Sequence, residues 1–231
     1  MSNDLDGPEP TATLRDYDRW AQTYDHHENP MVAATAWVMD HAPLAVRDAR
    51  VVELGCGTGR NVGRVLTGAP RSYLGVDGSP GMLAVARQRP EAADPRVEFA
   101  LAELGAGLPV ADRGADVALI VLVLEHVAAL APLCAELARI VAPGGHARIV
   151  EIHADRVAAG TVAHFKLDDG EVRFTSAAHP PAALAAALTA AGFAVTALVE
   201  HRSEGALLAA VPKLAKHAGG AVVLDVIATR A

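Results

Sequence analysis

The chain has 231 residues, 52% hydrophobic and 20% charged, with 20 Lys and Arg against 27 Asp and Glu for a formal charge of −7. That length and apolar content can bury a substantial core, which excludes a disordered chain and a disulfide-stapled miniature fold. Two cysteines, Cys56 and Cys134, make no disulfide framework. No Cys/His run has zinc-finger spacing, and the acidic balance argues against a surface that tracks nucleic-acid phosphates.

Residues 1–13 are acidic and proline-bearing, without the basic start and apolar run of a secretory signal, and read as a flexible tail on a cytoplasmic protein. From 14 to 24, Tyr17, Trp20 and Tyr24 fall at i, i+3 and i+7 on one helical face. Asn29-Pro30 then supplies an N-cap and a first-turn proline for a helix to about residue 42. From residue 50 the pattern becomes an alternation. Strands are predicted at 50–54, 72–77, 96–101, 115–122 and 146–152, with helices at about 61–67, 80–88 and 130–141. The run at 115–122 is apolar almost throughout, as a strand covered on both faces should be. Strands separated by helices imply right-handed crossovers and a parallel sheet with helices on both sides.

The last third differs. Residues 161–174 read as a hairpin turning at Asp168-Asp169-Gly170. Residues 180–199 carry no charge, long enough to span a bilayer. They open with Pro180-Pro181 and are cut by Gly192, so they predict a helix (181–191) and a strand (193–199), not a span. A final strand is expected at 222–228. No repeat or linker divides the chain, so 14–231 is expected to be one domain.

The strongest local signal is Glu53-Leu54-Gly55-Cys56-Gly57-Thr58-Gly59, between a strand and a helix. Glycines at alternate positions leave no Cβ where a ligand must approach the backbone, and the helix that follows presents free N–H groups. The spacing is one residue shorter than the dinucleotide fingerprint, which suits a smaller ligand lying across the strand ends. Asp77 ends the next strand, where a carboxylate can accept hydrogen bonds from both hydroxyls of a ribose.

Together with Gly75-Val76-Asp77-Gly78-Ser79, Leu108-Pro109 before Ala115-Asp116-Val117-Ala118-Leu119-Ile120, and Leu137-Ala138-Arg139-Ile140-Val141-Ala142-Pro143-Gly144-Gly145, this succession resembles the ordered motifs of class I S-adenosylmethionine (SAM)-dependent methyltransferases. Tyr17-Asp18-Arg19-Trp20-Ala21-Gln22-Thr23-Tyr24-Asp25 resembles the leading segment of their small-molecule branch. The resemblance covers about residues 14–200. It implies an α/β, Rossmann-like seven-stranded sheet, mostly parallel with an antiparallel last strand. A helical cap (14–42) and a hairpin insertion (about 154–178) are expected to cover the site.

The resemblance also implies site roles. Gly55, Cys56, Gly57 and Gly59 would line the methionine moiety of SAM, with Glu53 organising its ammonium and the carbonyl near Val121 receiving it. Asp77 would hold the ribose, and Gly78 and Met82 would flank the adenine. The acid that commonly faces the adenine amino group falls at Glu103, beside Leu104. Here the chain departs from the pattern, with Glu for Asp and one extra residue before Leu108, so a backbone amide is the other source of that contact. Tyr17 and Tyr24 would close over the methionine end. The product would be S-adenosylhomocysteine.

A general base is needed only where the acceptor keeps a proton at neutral pH. His126 and His153, after the fourth and fifth strands, are the candidates, since imidazole titrates near working pH. A His153/His179/Glu151 metal site is a weaker idea, for want of helix-fixed ligand spacing. The expected acceptor lining is Trp20, Met31, His164, Phe165, Phe174 and His179, which would select a small, fairly hydrophobic metabolite. No nucleic-acid or membrane partner is expected, and the chain would act as a monomer or homodimer. The high Ala and Arg usage fits a GC-rich bacterial genome and specialised metabolism. A nicotinamide oxidoreductase would need G-x-G-x-x-G and Tyr-x-x-x-Lys, which are absent. A SAM-binding module without transfer activity would carry the same cofactor residues.

Overall fold

A computed structural model describes residues 11–26, 28–104, 107–167 and 170–231, with the side chain of Leu167 excepted. Most of the expected tail, the residues Gly105 and Ala106, and the hairpin turn at Asp168-Asp169 lie outside these. Ala12 and Thr13 belong to a helix rather than to a tail. Thr11 caps α1 (Ala12–Trp20), its hydroxyl accepting from the Leu14 N–H.

The helix predicted over 14–24 stops at Trp20. Tyr24 sits in a separate 3₁₀ turn, Tyr24–His26. The three rings still meet, Trp20 and Tyr24 at 4.6 Å between centroids and Tyr17 and Trp20 at 5.9 Å. Asn29 caps α2 (Pro30–His41) as its sequence predicts.

The strands follow as β1 (Arg50–Leu54), β2 (Ser72–Asp77), β3 (Val97–Leu101), β4 (Ala115–Val121) and β5 (Val141–Ile152). A small hairpin, β6 (His164–Leu167) with β7 (Gly170–Arg173), stands apart, and β8 (Phe193–Arg202) and β9 (Ala221–Arg230) complete the set. Seven of them form one sheet in the order β3-β2-β1-β4-β5-β9-β8. All neighbours are parallel except β9, which runs antiparallel to both β5 and β8. Order reverses between β1 and β4, and ligands of open α/β sheets bind at such a switch point.

β5 begins five residues earlier than predicted. The segment Pro143-Gly144-Gly145, expected to break the chain, instead runs through an irregular pairing in which Val141 sits opposite Ala115. A Cβ on Gly145 would lie 2.6 Å from the Asp116 carbonyl oxygen, so glycine permits the close approach.

Helices cover both faces. Successive residues of β4 alternate between them. Ala118 and Ile120 pack with α5 (Leu130–Ile140) and α7 (Pro181–Ala190), through Leu133, Leu137, Leu184 and Leu188. Val117 and Leu119 pack with α2, α3 (Val62–Thr67) and α8 (Gly205–Ala210), through Val38, Val65 and Leu207. Arg148 of β5, fully buried, donates to both Asp225 oxygens of β9 at 3.0 and 2.8 Å and also to the Ala42 carbonyl at the end of α2. This buried pair anchors α2 to the sheet, and removing one partner would leave an uncompensated charge. Among the described residues, no helix is long and apolar enough to cross a membrane.

Candidate functional site

The turn after β1 is laced to β2 by its backbone. The amides of Gly55 and Cys56 both donate to the Val76 carbonyl, at 2.8 and 3.0 Å. Gly57 has φ +54°, in the left-handed region that disfavours side chains, and a Cβ there would meet no atom within 4 Å. Its N–H donates to Asp77 Oδ2 at 2.8 Å, while the Ser79 N–H donates to Oδ1 at 2.9 Å. The carboxylate is thus fixed with lone pairs left on both oxygens. Burial pushes its pKa up against the lowering effect of these two amides.

Glu53, almost fully buried, accepts from Asn61 Nδ2 at 2.7 Å and from the Tyr73 hydroxyl at 2.6 Å. Burial outweighs both bonds and pushes the carboxyl up to about 7.

Above these strand ends lies a cavity of about 1290 Å³. Gly55, Cys56, Gly57, Asp77, Gly78, Met82, Glu103, Leu104 and Val121 line it, together with Glu53, Tyr17, Tyr24 and His126. A further wall comes from Val32, Ala33 and Ala36 of α2, with Arg60 and Asn61 opposite. A drug-sized ligand needs roughly 300–1,000 Å³, so the space exceeds what one nucleoside fills. Gly59 is not among the lining residues; its Cβ position lies 3.2 Å from that of Ala86, where the turn packs on α4 (Pro80–Ala86).

Beyond β4 the chain turns sharply at Leu122, whose φ of +57° is unusual for a leucine. One buried carboxylate holds this turn. Glu151 Oε1, at the end of β5, accepts from the Val123 and Leu124 amides at 2.6 and 3.0 Å. Its Oε2 is enclosed without a partner among the described residues. Burial pushes Glu151 up to about 8, with Glu125 adding to the rise.

The N-terminal helix forms one side of the cavity through Thr13, Leu14 and Tyr17. Asp18 Oδ1 accepts from Ser79 Oγ at 2.5 Å and from the Gly81 N–H at 2.8 Å, docking α1 on the first turn of α4. The Tyr17 hydroxyl lies 2.7 Å from His126 Nε2. His126 sits in a 3₁₀ turn, Leu124–His126, and burial lowers its pKa while Glu125 opposes the change. Arg60 donates to the Tyr24 hydroxyl at 3.3 Å, with its guanidinium 4.9 Å from the Tyr24 ring centre.

The expected acceptor lining is not gathered on the cavity. Trp20, Phe165 and Phe174 form their own packed cluster with Tyr17 and Tyr24, Trp20 stacking on Phe165 at 4.9 Å. Met31 is buried in the core beneath α2. His164 is exposed on β6 with Nδ1 near its neighbour's carbonyl at Val162. His179 donates from Nε2 to the Val127 carbonyl at 2.7 Å.

His153 lies away from the cavity too. It caps α6 (Ala154–Ala158), its Nδ1 accepting from the Asp155 N–H and its Nε2 lying 3.4 Å from Glu200. Its place at a strand end made it resemble His126, but the chain turns it toward β8. His153, His179 and Glu151 do not converge, and among the described residues no three His, Cys, Asp or Glu side chains are arranged to hold a metal.

Sequence reasoning missed Asp18, Arg60, Asn61 and Glu151. Arg60 and Asn61 directly follow the glycine turn, and Asp18 lies inside the leading aromatic segment, so their positions carried a signal. Glu151 was weighed only as a metal ligand.

Residues 51–145 match a family model described as a methyltransferase domain. An uncharacterized methyltransferase of Emericella nidulans is 31% identical over 221 residues, covering 80% of this chain and 77% of that protein. A trans-aconitate 2-methyltransferase of Methylobacterium nodulans is 38% identical over 109 residues, 47% of this chain and 40% of its own length. Among solved structures, an S-adenosylmethionine-dependent methyltransferase from Mesorhizobium loti superposes with a TM-score of 0.71 at 24% identity, covering 87% of this chain and all of that one.

Proposed function

The chain belongs to the SAM-dependent methyltransferases, and from that premise we propose that its acceptor is a small molecule, in bacterial specialised metabolism. The observation that carries the acceptor class is the cavity of about 1290 Å³ at the strand ends, bordered by Tyr17 and Tyr24 and by short apolar side chains of α2. It has room for a second small ligand beside the nucleoside. The named activity of the trans-aconitate relative, on a small organic acid, is in keeping with this.

The residues present fit SAM. Gly57 leaves open space where a side chain would obstruct the backbone, and Asp77 offers two oxygens to the ribose hydroxyls. We assign Gly78, Met82, Glu103 and Leu104 to the adenine end. Gly55, Cys56 and the Val121 carbonyl fall to the methionine end, with Glu53 behind them. When bound, SAM supplies an electrophilic methyl carbon on a sulfonium. The chain then has to align the acceptor with that carbon and keep water out. His126 is the candidate base on the cavity; His153 is not near enough to serve.

The experiment is transfer of labelled methyl from SAM to a panel of small acceptors bearing hydroxyl, amine or carboxylate groups. Labelled product from at least one member supports the reading. SAM binding without product across the panel would instead mark a binding module.

A further inference from the structure

His126 borders the cavity with one ring nitrogen engaged and the other buried. Nε2 faces the Tyr17 hydroxyl at 2.7 Å, and Nδ1 is enclosed with no partner among the described residues. An acceptor cannot reach an imidazole nitrogen without displacing Tyr17. The Tyr17 hydroxyl therefore stands between the base and any acceptor approaching from the cavity that both residues line.

Resting on the methyl-transfer reading above, we propose that Tyr17 is a catalytic residue that takes the acceptor's proton while passing its own to His126, and that the acceptor is a hydroxyl or N–H compound. The step balances. A lone pair of the acceptor atom bonds the methyl carbon as the carbon–sulfur bond breaks, its electron pair going to sulfur. The acceptor proton moves to Tyr17 Oη, and the Tyr17 proton moves to His126 Nε2. Tyr17 is a neutral phenol before and after. The positive charge lost at sulfur reappears on the imidazole, so the site keeps its total charge.

Burial of His126 works against the imidazolium that the relay forms, and Glu125 opposes that effect. Burial raises the Tyr17 pKa well above that of a free phenol, and Tyr24, Glu125, Asp77 and Glu151 raise it further, so a free phenolate is disfavoured and a concerted transfer is favoured. The new imidazolium would lie 3.8 Å from Glu125 Oε1, and Glu125 is itself held by the Ser176 hydroxyl at 2.7 Å. Tyr17 is also oriented before any ligand arrives, stacked on Phe174 with 4.6 Å between centroids and an interplanar angle of 27°. Phenylalanine at this position keeps the stack and loses only the hydroxyl.

The test compares Tyr17→Phe, His126→Asn and the double variant. Wild-type protein is expected to methylate hydroxyl or amine members of the panel. Each single variant should lower turnover about 10²–10⁴-fold, the double no further, with SAM affinity held within about threefold. The rise of wild-type activity with pH through the imidazole ionisation should vanish in His126→Asn. Without any ligand, nitrogen-15 NMR of the His126 ring should shift in Tyr17→Phe. Full turnover by Tyr17→Phe, transfer to carboxylates alone, an unchanged ring spectrum, or a loss of SAM affinity as large as the loss of turnover would each overturn the relay and leave methyl transfer standing. SAM binding with no transfer to any acceptor would defeat the methyl-transfer reading and the relay together.

Discussion

Glu151→Gln separates the two things this buried side chain does. Glutamine keeps a carbonyl oxygen where Oε1 collects the Val123 and Leu124 amides, and removes the ionisable group at the partnerless Oε2. The folded carboxyl holds its proton up to about pH 8, against an ordinary value of 4.5. Between those values the folded chain binds more protons than the unfolded one, so wild-type stability falls as pH rises through the window and levels off above it. At about 1.36 kcal/mol per pH unit the whole window corresponds to roughly 3–6 kcal/mol. Glu53, pushed up to about 7, adds a similar slope over a narrower range and remains in the variant. The two proteins should therefore be nearly equal in stability at low pH, and the variant should gain progressively on wild type up to about pH 8. Urea unfolding at about pH 5, 6.5 and 8 measures this through the midpoint at constant slope. A stability difference that does not change with pH would refute the reasoning, because it would mean that Glu151 is already ionised in the folded state.

Asp77→Ala should weaken SAM binding at least tenfold, since two charge-assisted ribose bonds at ~1.5–3 kcal/mol each are lost; calorimetry giving unchanged affinity would count against the assigned ribose site. The two glycines of the turn should separate cleanly. Gly57→Ala points a methyl into open cavity, so it should cost only about 1 kcal/mol of stability while obstructing SAM. Gly55→Ala places its methyl on Val123 Cγ2, so it should cost ~1–3 kcal/mol more through overpacking. Thermal melts paired with binding isotherms would show the reverse ranking if the turn were misassigned. Asp18→Ala removes the acceptor shared by Ser79 and Gly81, leaving Ser79 still capping α4 through the Met82 N–H at 3.1 Å. Residues 11–26 should then be cleaved faster in limited proteolysis with a global loss of only ~0.5–1.5 kcal/mol, and unaltered protection would argue that α1 is held by its aromatic rings alone.

The sheet was readable wherever a local rule sufficed. β1 and β2 begin and end where their runs do, each stopping at a glycine, Gly55 with φ +71° in the turn and Gly78 where Leu14 of α1 packs close. β5 was shortened because Pro143-Gly144-Gly145 is a strong breaker in isolation, while its true pairing depends on the close approach of Gly145 to the Asp116 carbonyl of β4. The helix α8 went unseen for a related reason. Gly205-Ala206-Leu207-Leu208-Ala209-Ala210 is too short to show helical periodicity, and its place is fixed by Leu207 packing into the layer beneath α2.

The strand-end lining of the cavity was legible and its aromatic side was not, and the difference is one of sequence distance. Glu53, Gly55, Gly57 and Asp77 sit at or beside turns at the ends of adjacent strands, so their spacing carries their geometry. The aromatic residues of the cap and hairpin were identified as a group, and they do assemble, with Phe165 and Phe174 meeting Trp20 across more than 140 residues of chain. Packing against one another satisfies them, however, and withdraws them from the cavity that they were expected to line. Of the α1 aromatics Tyr17 alone lines the cavity, and its hydroxyl finds a nitrogen 109 residues away on a turn that Glu151 holds in place. Composition marks such a residue as a packing aromatic; only the tertiary pairing turns it into a group that can move a proton.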